Sequence, residues 1–381
     1  MEILLLFPLL ILSIISRYIN KKVDIGLGPE PLINNIYHKR ALEYYGYSAE
    51  TFVTHTYFIT QDFDKIYSYK NKIINAVALK IVHIDFIVSI FRYRCLYFYF
   101  NGGPLFNTLM LWRFEPYLLK IAKVKSVVMP YGSDIQDLTR TPNFSFKHAM
   151  ACDYPQHKFK RSNITSKINL WTTHASHVIS GCDWVDYMYH WDTLMVAHFS
   201  FDTTLLDNKK TDTTSNDIFR VLHAPNHRSI KGTKHIIENI QALRDEGLSI
   251  ELILLEKAPN ETILQEIKKA DLIIDQLIIG WYAMFAIEAM AHAKPVMCYL
   301  RDDLLQLYRS TGLINKDDPP LINTSVLSLK NDIKKAISNK HHLSETGTKG
   351  RQYVERIHSI KSIGNVFLTI NKSMGMEPYQ R

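Results

Sequence analysis

Short apolar runs alternate with helix-patterned segments through the second half of the chain. Between residues 220 and 300, the apolar runs are Arg220–His223, Ser249–Glu256, Asp271–Leu277 and Pro295–Leu300, and the helical segments are Thr233–Asp245, Glu261–Ala270 and Tyr282–Ala293. Apolar runs of this length between helices are typical of βαβ units with a buried parallel sheet. Ligands bind such sheets outside the carboxyl ends of the strands, where loops lead into the helices.

The first half of the chain shows the same alternation. We predict strands starting at Val23, Glu50, Cys95 and Ser126, helices over Asn34–Tyr45, Ile81–Tyr93 and Phe106–Ala122, and a strand–helix–strand unit between Ser176 and Phe201. The polar stretch at residues 207–217 is the clearest linker in the chain. Beyond Leu300 we predict helices near Ser328–Asn339 and over Lys349–Lys372. The pattern therefore indicates two α/β domains.

The N-terminus carries a separate apolar run. Residues Ile3–Ile15 are apolar apart from Ser13, and basic residues follow them at Arg17, Lys21 and Lys22. A secretory signal would place its positive charge before the run and a small-residue cleavage site after it. The run is short for a spanning helix, which needs about 20 residues. We predict a membrane anchor or membrane-associated helix in residues 1–22, with the rest of the chain on the cytoplasmic face. The alternative is the first strand or helix of the globular domain.

Composition narrows the class of partner. The chain has 381 residues, 46% hydrophobic and 22% charged, which is enough to build packed cores. Its formal net charge of +8 suits anionic lipid, phosphate-bearing substrates or nucleic acid. No arginine-rich run or nucleic-acid signature is present. We therefore expect the chain to bind a membrane surface and phosphate groups, and not nucleic acid. The four cysteines are scattered without metal-ligand spacing, which favours a reducing compartment and neither disulfides nor a zinc site.

The candidate chemistry lies in the loops of the second half. His227, Arg228 and Lys231 cluster just before a helix that starts near Gly232. A helix N-terminus with nearby arginine and lysine favours a diphosphate. Glu288 would lie early in its helix near the same sheet edge, where a carboxylate can accept two ribose hydroxyls. The alternative is that the basic residues are solvated loop charges and Glu288 is a helix-surface residue.

Two short motifs carry a resemblance to a known family. They are "KG" at Lys231–Gly232, followed by a long helix, and "EAMAHAKPV" at Glu288–Val296. This stretch resembles the donor-binding half of retaining GT-B glycosyltransferases of family 4, the "glycosyl transferases group 1" type, with its capsule and O-antigen relatives. The resemblance implies two Rossmann-like doubly wound domains facing across a cleft. It also implies that Glu288 binds the nucleotide ribose, and that Arg228 and Lys231 hold the diphosphate.

The chain departs from the family pattern at several positions. The family has a glutamate that contacts the donor sugar eight positions before Glu288, where this chain has Gly280. Asn226 stands where the family has arginine, with His227 and Arg228 as substitutes next to it. We therefore include Asn226, His227, Gly232 and Gly280 among the donor-binding candidates.

A third motif lies in the first half. "PYGSD", Pro130–Asp134, resembles the family's H-G-S-D stretch at the floor of the cleft. Tyr131 stands where many members have a histidine near the reacting sugar, and tyrosine is a poor base because its reference pKa is about 10. Asp134 is predicted either to orient an acceptor hydroxyl or to cap the following helix. Tyr131 and Asp134 are the candidate catalytic residues.

These expectations define a domain plan. We predict the N-terminal membrane helix in residues 1–22, an acceptor-side Rossmann-like domain in 23–206, the linker in 207–217 and a nucleotide-sugar-binding domain in 218–348. By resemblance, a C-terminal helix in 349–381 should cross back onto the first domain.

The predicted function is hexosyl transfer from a nucleotide-diphosphate sugar, with retention at the anomeric carbon. The expected acceptor is a hydroxyl of a lipid-linked glycan, and no metal ion or other cofactor is expected. Two alternatives stay open. One is a nucleotide-sugar 2-epimerase of the same fold, and the other is a non-catalytic relative.

Overall fold

The computed structural model describes residues 2–57, 60–67, 83–206 and 218–378. The chain divides into two compact units. The first consists of Met1–Asp137, Lys160–Ser200 and Ile363–Arg381, and the second of Leu138–Phe159 and Phe201–Ser362. The segment Leu138–Phe159 thus packs in the second unit, although it lies inside the range predicted for the first domain. The predicted linker, residues 207–217, lies outside the described residues.

The first unit contains a parallel sheet whose described strands follow the order β3-β2-β1-β4-β5-β6-β7. These strands are β1 Val23–Leu27, β2 Ala49–Val53, β3 Lys65–Ile66, β4 Tyr93–Tyr99, β5 Lys125–Met129, β6 His177–Ser180 and β7 Thr193–Leu194. The aromatic run predicted as a strand is β4, which lies between β1 and β5, with Leu27 opposite Tyr97 and Tyr99 opposite Met129. Helices cover both faces of a parallel sheet, which explains why this central strand is apolar almost throughout.

Six of the described α-helices precede β6 in the chain. They are α1 Glu2–Ser16, α2 Asn34–Tyr44, α3 Ile84–Arg92, α4 Glu115–Ile121, then α5 Phe144–Asp153, which packs in the second unit, and α6 Arg161–His174. Within the described ranges, no helix is both long enough and apolar enough to cross a bilayer.

The helix predicted over Phe106–Ala122 is wrong in its first half. Only α4 and a 3₁₀ turn at Leu111–Arg113 are helical there. The amide of Leu105 donates to the Glu115 carboxylate at 3.0 Å, and the amide of Met110 donates to Glu2 at 2.7 Å. These amides bond to carboxylates and not to helical carbonyls, so the segment forms an ordered loop despite its apolar composition.

The second unit contains a smaller parallel sheet, with described strands in the order β12-β11-β10-β8-β9. These strands are β8 Phe219–His223, β9 Ile250–Leu254, β10 Leu272–Ile274, β11 Val296–Cys298 and β12 Ile322–Asn323. The helices that follow Phe201 are α7 Arg228–Lys231, α8 Thr233–Asp245, α9 Asn260–Lys269, α10 Met284–Ala291, α11 Asp302–Ser310, α12 Leu329–Ser338, α13 Lys340–Ile357 and α14 Ile360–Ser373. Each strand predicted between residues 220 and 300 is present, with ends trimmed by a few residues.

The helix predicted over Lys349–Lys372 is interrupted. α13 ends at Ile357 and α14 begins at Ile360, because the carbonyl of His358 accepts the amide of Phe201 at 2.7 Å. The hydroxyl of Ser359 then accepts the amide of Ser362 at 3.1 Å and starts the new helix. From Ile363 onward the chain packs in the first unit, where Phe367 lies edge-on against Tyr97.

The two parallel sheets and their flanking helices form the pair of α/β domains predicted from the sequence.

Candidate functional site

The donor-binding candidates lie at one edge of the second sheet. β8 ends at His223 and leads into α7, while β10 ends at Ile274 and leads through a loop into α10. The two strands are neighbours in register, with Leu272 opposite Val221. Their carboxyl ends, and the loops that follow, therefore meet at the edge where parallel sheets bind ligands.

An ion pair holds the centre of this edge. The Lys231 ammonium lies 2.7 Å from Oδ1 of Asp275, whose side chain has no exposed surface. Oδ2 of Asp275 accepts the amide of Ala283 at 3.0 Å, just before α10. Asp275 thus fixes both the lysine and the start of the helix that carries Glu288. Removing one partner of a buried pair leaves an uncompensated charge, which is strongly destabilising.

Glu288 is buried on α10. Its Oε1 accepts a hydrogen bond from Nδ2 of Asn260 at 2.7 Å. Burial raises the pKa of Glu288 to about 7, with the Asp275 charge acting in the same direction and the Asn260 hydrogen bond opposing them. Near pH 7 the carboxyl is therefore only partly ionised in the free protein. A ligand whose hydroxyls donate hydrogen bonds to it would favour its charged form.

Glycine is required at position 232. Gly232 has a φ of 77° and joins α7 to α8, and a Cβ there would lie 3.0 Å from Cβ of Leu277. His223 supports the same junction, with Nδ1 2.8 Å from the carbonyl of Ile274 and Nε2 2.9 Å from Oγ1 of Thr233. Burial lowers the pKa of His223 to about 4, so it is neutral and serves to position the loop.

Arg228 forms an ion pair with Glu256, separate from the Lys231–Asp275 pair. Its Nε and one terminal nitrogen donate to the two oxygens of Glu256, each at 2.8 Å. The pair is exposed, so it contributes little to stability and a stronger anion could replace Glu256. Asn226, on the same loop, is exposed.

The segment Leu138–Phe159, which lies inside the predicted first domain but packs in the second unit, contacts these loops. Asn143 donates through Nδ2 to the carbonyls of Ile278 and Ile279, at 2.8 and 3.0 Å. At its other end, the hydroxyl of Tyr154 is hydrogen-bonded to the imidazole of His227. We call this segment the strap.

Asp153 of the strap occupies the amides at the start of α7. Its Oδ2 accepts the amides of Ser229 at 3.0 Å and Ile230 at 3.1 Å. These amides lie about one turn before the helix start near Gly232 to which the sequence analysis assigned a diphosphate. In this structure a carboxylate of the chain itself uses them.

Gly280 stands where the resemblance led us to expect a sugar-binding glutamate. Its φ is 94°, and a Cβ there would lie 2.5 Å from Cγ of Arg301. The carbonyl of Gly280 accepts the amide of Arg301 at 2.9 Å, and the guanidinium is paired with Asp303. The alkyl chain of Arg301 therefore fills the space into which a side chain at position 280 would project.

The two candidate catalytic residues lie together in the first unit. Nδ2 of Asn101 donates to the Tyr131 hydroxyl at 2.9 Å and to Oε1 of Glu30 at 2.6 Å. Burial raises the pKa of Tyr131 further above its usual range, and the charge of Asp134 acts in the same direction. Tyr131 is therefore a hydrogen-bonding group and not a base.

Asp134 holds the turn beneath Tyr131. Its carboxylate is buried and accepts three amides, from Phe100 at 3.0 Å, Tyr131 at 3.1 Å and Gly132 at 2.9 Å. Burial raises its pKa to about 7, and these three hydrogen bonds oppose the shift. These amides all precede Asp134 in the chain, so it does not cap the following helix as the predicted alternative had it, and Asn143 caps α5 instead. Asp134 is a positioning residue for Tyr131.

Sequence reasoning missed four residues that shape this edge of the second sheet: Asp275, Asn260, Arg301 and Asp153. Asp275 carried a usable signal, since it directly follows the apolar run that became β10. The structure gathers Lys231, Gly232 and Glu288 around it. Arg228 is instead paired with Glu256, and His227 is hydrogen-bonded to Tyr154 of the strap.

Comparison with known proteins identifies the architecture. No protein-family model matches the sequence, and no curated protein matches it. Among solved structures, HepE from Anabaena in complex with UDP is 13% identical, with 93% of this chain and 100% of that chain covered and a TM-score of 0.57.

Two further solved structures align over nearly their whole length. Sucrose-phosphate synthase from Thermosynechococcus elongatus is 12% identical, with 93% and 99% covered and a TM-score of 0.61. S. aureus MnaA, solved with UDP, is 12% identical, with 95% and 99% covered and a TM-score of 0.52. At these identities the likeness shows the fold, and that fold is GT-B.

Proposed function

We propose that this protein transfers a sugar from a nucleotide-diphosphate donor to an acceptor hydroxyl. The observation that carries the proposal is the placement of Glu288 beside the Lys231–Asp275 pair, at the carboxyl edge of the second sheet. HepE, which has the same fold, has been solved with both UDP and UDP-glucose. The motif resemblance assigns Glu288 to the ribose and Lys231 to the diphosphate.

In this proposal Glu288 binds the ribose. A carboxylate can accept both vicinal hydroxyls, and each charge-assisted hydrogen bond contributes roughly 1.5–3 kcal/mol. Asn260 donates to one oxygen of Glu288 and holds its orientation. Because the pKa of Glu288 in the free protein is about 7, donor binding would release a proton from part of the population.

Lys231 stabilises the leaving group. An ammonium has three donors, and the Asp275 contact uses one of them. As the bond between the anomeric carbon and the phosphate oxygen breaks, its electron pair passes to the diphosphate. Lys231 then interacts more strongly with the leaving group than with the intact donor, which is what accelerates a reaction. Protein groups supply this stabilisation in the proposal, without a metal ion.

The acceptor oxygen forms the new bond to the anomeric carbon, and its proton passes to the leaving phosphate oxygen. Retention at the anomeric carbon follows from the resemblance. We propose that Tyr131 and Asn101 form hydrogen bonds with hydroxyls of the acceptor molecule or of the donor sugar. Asp134 holds the turn that carries Tyr131. We further propose a lipid-linked glycan as acceptor and a location at the cytoplasmic face of a membrane, because of the apolar α1 and the basic balance of the chain.

The test is product analysis. The full chain is incubated with a panel of nucleotide-sugars, with and without an extract of glycolipids, and UDP release and product mass are measured. We expect nucleotide release only with acceptor, a glycolipid heavier by one sugar, and no effect of a chelator. Turnover of the donor without acceptor would indicate the 2-epimerase alternative instead. Binding of the donor with no turnover of any kind would indicate a non-catalytic relative.

A further inference from the structure

Helix α1 presents its apolar side outward. Leu4 and Phe7 are 76% and 69% exposed, and Ile11, Ile14 and Tyr18 continue the same exposed stripe at helical spacing. The buried positions of α1 are Leu9, Ser13 and Ser16, so two of the three side chains turned inward are polar. A helix on the surface of a water-soluble domain normally shows the reverse arrangement. A contiguous exposed apolar stripe of this kind marks an interaction site.

A second group of exposed apolar residues adjoins the stripe. Leu109, Met110, Phe114 and Tyr117 are exposed at and just before α4, against which α1 packs. The carboxylate of Glu2 accepts the amides of Leu109 and Met110 and so joins the start of α1 to this loop. We call the α1 stripe and these four residues the apolar face.

Basic residues border the apolar face at the other end of α1. Lys120, Lys123 and Lys125 line a cavity of about 610 Å³ beside Tyr117. The buried ammonium of Lys21 donates to the carbonyls of Ser16 and Ala122, at 3.0 and 2.9 Å. This contact fixes the end of α1 next to Lys123. We call the three cavity lysines the basic rim.

We propose that the apolar face and the basic rim together dock the protein on an anionic lipid bilayer, with α1 lying in the plane of the interface. The inference builds on the proposed membrane location and assigns it to a surface and a lipid chemistry. The apolar side chains enter the acyl boundary, as in interfacial helices. The rim lysines bind the phosphates of anionic headgroups, and each basic residue near such a surface strengthens binding about fivefold.

The charges favour a bilayer over a second copy of the chain. A two-fold dimer on this face would pair the same surface with itself. With the two α1 helices parallel, the three rim lysines of one copy would border those of the other, which is unfavourable. With the helices antiparallel, each rim would face the Glu2 end of the other α1, where the carboxylate is already engaged by the amides of Leu109 and Met110. An anionic lipid surface neutralises them instead.

The test is co-sedimentation of the full chain with vesicles. One set is phosphatidylcholine alone, and the other is phosphatidylcholine mixed with phosphatidylglycerol. We expect the wild type to sediment with the mixed vesicles and more weakly with the neutral ones. Replacing both Leu4 and Phe7 by Asn should reduce partitioning more than about tenfold on both, since two large apolar groups no longer enter the bilayer. Point substitutions are sharper than deleting α1, which would uncover the helices beneath it.

Matched controls lie on the second unit. Leu327 and Phe159 are 95% and 74% exposed there, and replacing both by Asn should leave sedimentation unchanged. Replacing Lys120 and Lys123 by Gln should abolish the preference for phosphatidylglycerol, whereas the same change at the exposed Lys234 and Lys335 should not. The rim variants test the proposal even where the Leu4/Phe7 variant misfolds.

The proposal is overturned if the wild type does not sediment with the mixed vesicles, or if the face and rim variants behave like their controls. It is also overturned if light scattering shows a dimer that the Leu4/Phe7 variant dissociates while no vesicle binding occurs. UDP binding, measured on the same samples, reports on the second unit alone. A loss of UDP binding with intact sedimentation would count against the proposed function and leave the docking surface in place.

Discussion

The Lys231 ammonium lies 2.7 Å from the fully buried Asp275 carboxylate, in the loop edge where the second sheet would bind a diphosphate. Under the proposed function the pair serves two purposes, and substitutions can separate them. Stability requires that neither charge be left alone, whereas phosphate binding requires the lysine.

Lys231→Met should lower the free energy of unfolding by about 3–5 kcal/mol, because Asp275 then stays buried without its partner. The double variant Lys231→Met with Asp275→Asn should recover much of that stability and still fail to bind UDP. Urea unfolding and calorimetric titration measure the two effects. Lys234→Met is the control, since that lysine is exposed one turn further along. Wild-type UDP affinity in the double variant would refute the phosphate assignment.

Asp153 should oppose nucleotide binding, since its carboxylate holds the amides of Ser229 and Ile230. Asp153→Asn keeps an acceptor oxygen but removes the charge, so UDP affinity should rise roughly two- to fivefold with little change in stability. Asp153→Ala should show the same gain in affinity together with a loss of about 1 kcal/mol in stability from the uncapped amides. The exposed Asp62, changed to Asn, controls for the loss of one negative charge. Unchanged or weaker UDP binding in both Asp153 variants would show that the strap does not compete with the ligand.

Gly280 should tolerate no side chain while Arg301 is present. Gly280→Ala incurs backbone strain at a φ of 94° and a clash with the Arg301 alkyl chain. Gly247 has a similar φ of 88° with nothing within 4 Å, so Gly247→Ala measures the backbone strain alone, about 1–2 kcal/mol. The excess destabilisation of Gly280→Ala, about 1–3 kcal/mol, should vanish when Arg301 is also changed to Ala. Thermal melts of wild type, Gly247→Ala, Gly280→Ala and the Gly280→Ala, Arg301→Ala double variant measure these differences. An equal loss of stability in the two single variants would exclude the clash.

The raised pKa of Glu288 predicts how the stability of the folded protein changes with pH. Its pKa is about 7 in the folded protein against 4.5 for an ordinary glutamate, so between these values the folded state keeps a proton that the unfolded chain has lost. Stability should therefore fall as the pH rises through this window. Relative to wild type, Glu288→Gln should gain about 3 kcal/mol from pH 4.5 to just above 7 and then level off. Urea unfolding at several pH values measures the difference, which also cancels the other buried carboxyls. Parallel curves for the two proteins would mean that Glu288 does not titrate there.

Much of the second sheet could be predicted because buried parallel strands have a simple signature. β8 and β10 appear as apolar runs bounded by polar loops, and Gly232 falls where a helix must start after a sharp turn. The same logic failed between Phe106 and Glu115, where apolar residues lie in a loop whose amides bond to carboxylates from elsewhere. Periodicity does not distinguish that arrangement from a helix.

The rest of the site depends on contacts between distant parts of the chain. Asp153 meets Ser229 across 76 residues, and nothing in the local pattern of either indicates the other. The side chain of Arg301 fills the space beside Gly280 for the same reason. In α1 the apolar run predicted contact with a membrane, but the inward direction of Ser13 and Ser16 is set by the helices beneath them.

The central claim, that the second unit binds a nucleotide through its ribose at Glu288, is tested most directly by comparing ligands that differ at the ribose. UDP and its 2′-deoxy analogue are titrated calorimetrically into wild type and Glu288→Ala. We expect wild type to bind UDP more tightly than the deoxy analogue by roughly 1.5–3 kcal/mol, the contribution of one charge-assisted hydrogen bond. Glu288→Ala should bind both ligands weakly and equally. If Glu288→Ala keeps the wild-type preference for UDP, the ribose does not lie at Glu288 and the account is wrong.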